Sequence, residues 1–291
     1  MIPELVSPRR VETRGGALAV STVGSGSPLL LLHGFPQMRM MWAPVARMLA
    51  ETHTLLIPDL PGYGDSDPPA SVEGASKRAM AETMVEAMAA LGHDAFDVAG
   101  HDRGGRVAYR MALDHPERVK RLAVLDILPT SDYWAKMDRG FALKIYHWAF
   151  LAQPAPLPET MIGAAPDYWL EWTLRSWTAA QSLDCFDPQA MAGYRRNFHD
   201  PARLKAMCDD YRAGAEIDVE HDLASRESVV RIAAPTLVLW GETGIAQGAR
   251  TPLDVWGEWC RHVEGAPIRG GHFLPEENPD DTGAALAAFF A

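Results

Sequence analysis

The sequence of 291 residues predicts an α/β fold in which a mostly parallel, doubly wound sheet carries an inserted all-helical cap. Short runs of consecutive apolar residues recur along the chain, as expected of strands that are covered on both faces. Segments with helical spacing separate most of these runs, and strands that alternate with helices form right-handed crossovers. A central stretch of roughly a hundred residues has helical spacing and no good strand pattern.

The predicted strands and the clearest predicted helix can be read directly from the pattern of apolar residues. A hairpin comes first, because Gly15-Gly16 separates two short extended runs at 11–13 and 17–23. The buried strands that follow are predicted at 28–32, 54–57, 96–99, 122–125, 236–240 and 262–268. The segment 77–91 places Met80, Met84 and Met88 at intervals of four residues, which is typical of an amphipathic helix.

The alternation of strands and helices stops near Pro129 and resumes only at Pro235. We therefore predict that 1–128 and 229–291 form the core and that 129–228 form the helical cap. Five of the nine tryptophans lie in this cap, and packing inside a small helical core explains most of them. They are Trp134, Trp148, Trp169, Trp172 and Trp177.

Composition and charge exclude several classes of protein. Lys and Arg number 27 against 38 Asp and Glu, so the net charge of −11 would repel nucleic acid. The first residues do not resemble a signal peptide, and no apolar run is long enough to span a membrane, so we expect a cytoplasmic protein. Cys185, Cys208 and Cys260 are odd in number and widely spaced, which argues against a disulfide framework or a zinc site. We expect neither a metal nor a cofactor.

The segment GHDRGG (100–105) follows one predicted strand and precedes a helical run at 106–113. This is the pattern of a sharp turn that carries a nucleophile between a strand and a helix, here with Asp102 in the central position. Small flanking residues are needed because the turn is strained and crowded. An aspartate that merely caps the helix is the competing interpretation, but it does not explain the glycines.

Three further motifs follow strands. The segment HGFP (33–36) predicts an oxyanion hole formed by the backbone N–H groups of Phe35 and Arg103. Asp59 to Ser66 form a glycine-containing turn, to which we assign a structural role. His272 lies between glycine and phenylalanine after the last strand, where it can act as a general base. Its orienting acid is predicted to be Asp126, with Glu242 as a weaker alternative.

Together these motifs resemble the fluoroacetate dehalogenases of the α/β-hydrolase superfamily. The resemblance covers nearly the whole chain and is carried by HGFP (33–36), GHDRGGR (100–106), LDILPT (125–130), HW (147–148) and GHF (271–273). It implies that Asp102 is the nucleophile, His272 the base and Asp126 its acid. It also implies an α/β-hydrolase fold and a homodimer.

The resemblance further assigns the substrate contacts. It implies that Arg103 and Arg106 bind the substrate carboxylate, that His147, Trp148 and Tyr211 bind the departing halide, and that Trp177 lines the pocket. Two arginines three residues apart on a helix can indeed present their guanidinium groups to one carboxylate. The competing interpretations are ordinary ion pairs for the arginines and cap packing for the aromatic residues.

The sequence therefore predicts hydrolytic dehalogenation of a short 2-haloacid, with fluoroacetate as the expected substrate. The partner is a small anion, with no nucleic acid and no membrane involved. An epoxide hydrolase is the nearest alternative, although it would have little use for Arg103 beside the nucleophile. A non-catalytic ligand-binding member of the fold is the alternative from another class, and it would need no complete triad.

Overall fold

The structure, a computed structural model, describes residues 3–244 and 250–291 and confirms the predicted α/β class. Eight strands in the described residues form one sheet in the order β1-β2-β4-β3-β5-β6-β7-β8. The pairs β1–β2 and β2–β4 are antiparallel, and all the other neighbours are parallel. The strands are β1 (Arg9–Val11), β2 (Leu18–Val23), β3 (Ser27–Leu32), β4 (His53–Pro58), β5 (Phe96–His101), β6 (Val119–Leu125), β7 (Thr236–Gly241) and β8 (Val263–Ile268).

Helices cover both faces of this sheet, as the apolar strands require. The helices outside the predicted cap are α1 (Pro3–Val6), α2 (Ala43–Leu49), α3 (Lys77–Ala90), α4 (Asp102–Asp114), α13 (Pro252–Trp259), α14 (Leu274–Glu277) and α15 (Pro279–Phe290). Single 3-10 turns lie at Arg39–Trp42 and Glu73–Ala75. Leu30 in β3 pairs with Leu56 on one side and Val98 on the other, so the middle of the sheet is apolar.

The segment 129–228, all of which is described, contains eight helices and no strand. They are α5 (Thr130–Ala135), α6 (Arg139–Lys144), α7 (Tyr146–Leu151), α8 (Leu157–Gly163), α9 (Pro166–Trp177), α10 (Pro188–His199), α11 (Pro201–Ala215) and α12 (Ile217–Glu227). Of its tryptophans, Trp148 is buried, whereas Trp172 is 55% exposed and does not serve the helical core.

Two predicted boundaries were wrong. The predicted strand ends at residue 99 and the predicted helix begins at 106, but β5 runs to His101 and α4 begins at Asp102. No loop residue separates the two elements, because Asp102 itself turns the chain with a φ of +45°. The hairpin strand β1 also lies two residues earlier than predicted, since its Val11 pairs with Leu18.

Two whole-chain features bear on the sequence predictions. In the part of the chain that the structure describes, no helix has the length and apolar character needed to cross a membrane. The three cysteines form no disulfide, and Cys208 and Cys260 are buried.

Candidate active site

Asp102 lies where β5 meets α4, and the neighbouring glycines make this junction possible. A Cβ atom on Gly104 would lie 2.3 Å from the carbonyl oxygen of His33, and one on Gly100 would lie 2.5 Å from that of Gly104. Both distances are far below a normal contact, so side chains at these positions would push the two elements apart. Asp102 adopts a left-handed conformation that few residue types other than asparagine and aspartate tolerate.

The carboxylate of Asp102 is held in its anionic form. Burial raises its pKa, but the charges of His272, Arg103 and Arg106 outweigh burial and leave the pKa below its usual value. Oδ2 accepts a hydrogen bond from the backbone N–H of Phe35 at 3.0 Å. The second predicted oxyanion donor, the N–H of Arg103, belongs to the first turn of α4, where N–H groups have no partner within the helix.

The Phe35 loop is held in place by a buried acid that the sequence analysis did not identify. Glu276 accepts hydrogen bonds from Gln37 Nε2 and, at 3.0 Å, from the hydroxyl of Tyr194 in the cap. Burial raises the pKa of Glu276 to about 8 despite these two hydrogen bonds. The loop that carries the Phe35 N–H is thus tied to both the His272 segment and the cap.

His272 and Asp126 form a hydrogen-bonded pair beside Asp102. Nδ1 of His272 lies 2.6 Å from Oδ2 of Asp126, and Oδ1 of Asp126 accepts a bond from the Gly241 N–H at 3.0 Å. Asp126 directly follows β6 in a left-handed conformation with a φ of +51°. The alternative acid, Glu242, is solvent-exposed and is not part of this pair.

The backbone of His272 is fixed from both sides. Its N–H donates to the carbonyl of Trp177, and its own carbonyl lies 2.7 Å from Nε2 of His101. Burial lowers the pKa of His272, but the hydrogen bond and charge of Asp126 together with the charge of Asp102 reverse this, and the pKa is raised. His101 is different, since burial lowers its pKa to about 4 and leaves it neutral.

The two arginines lie together, but their surroundings differ. Arg103 is fully buried and forms an ion pair with Asp210, yet its Nη1 has no hydrogen-bond partner. Arg106 donates through Nη1 to the Leu128 carbonyl at 2.9 Å and to Oγ1 of Thr130 at 3.2 Å, while its Nε has no partner. Arg103 therefore does form an ordinary ion pair, as the competing interpretation holds. Each arginine still has one buried nitrogen without a hydrogen-bond partner.

The residues expected to bind the halide cluster in the cap. The ring centroid of His147 lies 4.3 Å from that of Trp177 and 5.7 Å from that of Tyr211, and the rings of Trp148 and Tyr211 are 6.0 Å apart. Burial lowers the pKa of His147 to about 3, so its imidazole is neutral, and Nδ1 has no partner. Burial raises the pKa of Tyr211 well above its ordinary value, which keeps the phenol protonated.

A cavity of about 570 Å³ opens onto this cluster. Its wall includes Asp102, Asp126, His272, His147, Trp148 and Trp177, and thus most of the predicted site. Arg103, Arg106, Tyr211 and Phe35 are buried and do not form part of the wall. Several residues that sequence reasoning missed also line it, among them Tyr133 at the start of the cap and Lys144.

Asp102 thus lines one cavity with the hydrogen-bonded pair of His272 and Asp126, and the family follows from comparison. A family model described as alpha/beta hydrolase fold matches residues 27–279. The chain belongs to the α/β hydrolase family. This α/β hydrolase is 44% identical to a fluoroacetate dehalogenase from a Burkholderia species over 271 residues, which cover 92% of this chain and 88% of the relative.

Two further proteins are similar to this α/β hydrolase over most of its length. A soluble epoxide hydrolase from a Corynebacterium species is 34% identical over 93% of this chain and 92% of its own. A crystal structure of a putative alpha/beta hydrolase from Nostoc sp. PCC 7120 superposes with a TM-score of 0.94 at 47% identity, covering 98% of this chain and 97% of that one. Relatives with two different hydrolytic activities are therefore similar to it.

Proposed function

We propose that this α/β hydrolase removes the halide from short 2-haloacids by hydrolysis, and that fluoroacetate, which yields glycolate and fluoride, is its substrate. The observation that carries this proposal is the pair of buried guanidinium groups beside the anionic Asp102, each with an unpartnered nitrogen. A buried donor without a partner costs free energy, and a carboxylate is the group best suited to satisfy two such donors. The similarity to a fluoroacetate dehalogenase supports the same substrate class.

The first step is a displacement at a saturated carbon. A carboxylate oxygen of Asp102 forms a bond to the carbon that carries the halogen, and the carbon–halogen bond breaks with its electron pair leaving on the halide. The product is an ester between Asp102 and the acid. A serine nucleophile would instead leave an ether, which water does not readily cleave, so aspartate suits this chemistry.

The second step hydrolyses the ester. His272 takes a proton from water, whose oxygen adds to the carbonyl carbon of the Asp102 ester, and the Phe35 N–H lies where it can stabilise the negative oxygen that develops. Collapse of this intermediate breaks the ester C–O bond, and the leaving alkoxide takes the proton from His272 and departs as the 2-hydroxyacid. The Asp102 carboxylic acid then loses its proton to solvent, which restores the carboxylate. Asp126 keeps the imidazole in the right tautomer and stabilises its cation.

Fluoride is a poorer leaving group than the heavier halides, because its bond to carbon is strong and its charge is compact. The neutral His147, the indole of Trp148 and the protonated Tyr211 lie together and can each supply a hydrogen-bond donor. If one donor lowers the barrier by roughly 2 to 4 kcal/mol in such a site, three of them make defluorination feasible, although their effects do not add. The ring centroid of Trp177 lies 4.3 Å from that of His147, so Trp177 closes this part of the pocket.

An epoxide hydrolase is the second candidate, and a specific observation supports it. Tyr133 lines the cavity and Tyr211 lies close behind its wall, so two phenols could protonate an epoxide oxygen. The similarity to a soluble epoxide hydrolase points the same way. A neutral epoxide would, however, leave the unpaired nitrogens of Arg103 and Arg106 unsatisfied, and we therefore favour the haloacid.

Halide release from matched substrates separates these functions. Purified enzyme would be given fluoroacetate, chloroacetate and an uncharged epoxide of similar size, with halide read by ion-selective electrode and diol by mass spectrometry. We expect fluoride from fluoroacetate and little diol. Diol without halide would favour the epoxide hydrolase, and no product from any of them would favour a non-catalytic ligand-binding protein.

The rate should fall as the pH is lowered, because His272 can accept a proton only in its neutral form. Its pKa is raised in the free enzyme partly by the charge of Asp102, and this charge disappears when Asp102 becomes an ester. We therefore expect kcat to decline in acid with an apparent pKa below that of His272 in the free enzyme. A pH profile of kcat beside an NMR titration of the resting imidazole would measure both, and a higher apparent pKa in kcat would contradict this.

Three expectations from the sequence stay predictions. Light scattering would test the homodimer, and fractionation of the source cells would test the cytoplasmic location. Activity that survives exhaustive chelation and dialysis would support the absence of a metal or cofactor.

A further inference from the structure

The guanidinium group of Arg103 is held by one carboxylate on two of its three nitrogens. Asp210, in the cap helix α11, accepts from Nε through Oδ2 at 3.0 Å. It accepts from Nη2 twice, through Oδ1 at 2.5 Å and through its backbone carbonyl at 2.7 Å. Three of the five N–H groups are thereby used, and only Nη1 is left without a partner.

Helix α11 is shaped to approach Arg103 this closely. A Cβ on Gly214, one turn beyond Asp210, would come within 2.9 Å of Nη2 of Arg103. The ring of Tyr211 covers the face of the guanidinium, with its centroid 4.2 Å from Cζ. The arginine is therefore fixed both at its edge and on its face by one segment of the cap.

Asp210 is in turn held by the core. Its side chain accepts from the hydroxyl of Tyr63 at 2.8 Å and from Nζ of Lys77, and all of these groups are fully buried. Lys77 also lies 3.6 Å from Oδ2 of Asp218. The cluster contains two cations, Lys77 and Arg103, and two anions, Asp210 and Asp218, so its formal charges balance without a ligand.

We propose that Asp210 is a positioning residue for substrate binding: it occupies Nε and Nη2 of Arg103, so that this arginine offers the substrate carboxylate Nη1 alone. The second contact then comes from Arg106, whose Nε has no hydrogen-bond partner. Each oxygen of the substrate carboxylate accepts a hydrogen bond from a different arginine, whereas a bidentate contact would take both donors from Arg103. Because Arg103 and Arg106 both lie in α4, the helix fixes the distance between them. A carboxylate held by both arginines can rotate less than one held by a single arginine.

Lys77 has a defined part in this arrangement. An ion pair between Arg103 and Asp210 would by itself cancel most of the attraction of Arg103 for an anion. Lys77 partly offsets the charge of Asp210, because it donates to Oδ1, the oxygen that also accepts from Nη2 of Arg103. Arg103 and Lys77 drive the pKa of Asp210 well below its usual value despite burial, so the carboxylate does not become protonated. Nη1 is therefore the part of Arg103 that is left for the substrate carboxylate.

This inference rests on the proposed haloacid substrate, so its test uses a carboxylate that cannot react. Binding of acetate would be measured by calorimetry in the wild type, Asp210→Asn, Lys77→Met and the double variant, with melting temperature recorded for each. Asparagine keeps one acceptor but turns an amide toward the other N–H of Arg103, so the guanidinium should rotate. We expect Asp210→Asn to weaken acetate binding at least about tenfold and Lys77→Met to weaken it less.

The double variant distinguishes positioning from simple charge balance. It keeps one buried cation, Arg103, and one buried anion, Asp218, so it should regain much of the melting temperature that Asp210→Asn loses. If Asp210 positions Arg103, acetate binding should stay weak in the double variant. Recovery of both stability and acetate binding would overturn the proposal, as would failure of acetate to bind the wild type.

A matched control guards against a general effect of losing a buried acid. Asp59 is also fully buried and pairs with Arg39, outside the site. Asp59→Asn should lower the melting temperature without changing acetate binding, and an equal loss of acetate affinity there would contradict a specific role for Asp210. Halide release from chloroacetate, measured separately, shows whether the proposed function itself holds, since acetate binding does not depend on turnover.

Discussion

Replacing His272 by asparagine should stop the reaction after halide release and leave the substrate attached to Asp102. Displacement needs only the carboxylate, whereas hydrolysis of the ester needs a base, and asparagine cannot accept the proton of water. With fluoroacetate we expect a burst of about one fluoride per enzyme and a mass gain equal to one carboxymethyl group. Peptide mapping should place this gain on the peptide that contains Asp102.

Two controls make this result decisive. Asp102→Asn, which suits the left-handed backbone at this position, should give neither burst nor adduct. A single turnover of wild-type enzyme in ¹⁸O-labelled water should place the label in the Asp102 side chain before it reaches product. An adduct on another residue, or label that enters glycolate directly with none in the protein, would refute the ester mechanism.

Removing the carboxylate of Asp126 should lower kcat by roughly 10³ to 10⁴, with the halide burst preserved. Both oxygens of Asp126 accept N–H groups, one from His272 and one from Gly241. Without them the imidazole loses its orientation and the counter-charge that stabilises its protonated form. Asp126→Gly is the suitable variant, because glycine adopts the φ of +51° at this position without strain.

The neighbouring Gly244 offers a way to return the acid from another element. A Cβ built on Gly244 would lie 2.4 Å from Oδ1 of Asp126, so a side chain there points into the space that this carboxylate fills. Exchanging the two residues, Asp126→Gly with Gly244→Asp, should therefore restore part of the lost kcat. Gly244→Asp alone should be harmful, since two carboxylates would collide. No recovery in the exchanged enzyme would mean that the acid must come from β6.

Much of the fold could be predicted from the sequence because its signals are local. Apolar runs such as the one in β3 mark strands that are buried on both faces, and the glycines around Asp102 mark a turn that only they permit. Boundaries were harder, because the end of β5 and the start of α4 depend on a single residue, Asp102. Its left-handed conformation is stabilised by the tertiary packing of Gly104 against β3 and the His33 loop, which no local pattern reports.

The site could be predicted only in part for a related reason. Motifs near strand ends identified Asp102, His272 and Asp126, since the parallel strands β5 and β6 and the loop after β8 end at the same edge of the sheet. The residues that the cap contributes do not follow strands, so no strand-end motif marks them in the sequence. Asp210 and Tyr133 lie in the cap helices α11 and α5, and a general rule alone points to Asp210, namely that a buried arginine needs an anion.

The sequence by itself determined which candidate groups this protein has: a carboxylate in a glycine turn, an imidazole, and two arginines one helical turn apart. Tertiary structure alone decided which of those groups are free to act. Asp210 in α11, which is itself bound by Lys77 of α3, occupies two nitrogens of Arg103 and leaves one, and Asp126 rather than Glu242 reaches His272. The physical reason is that hydrogen-bond donors and charges are consumed by whichever partners the packed chain brings near, and these partners lie far apart in the sequence.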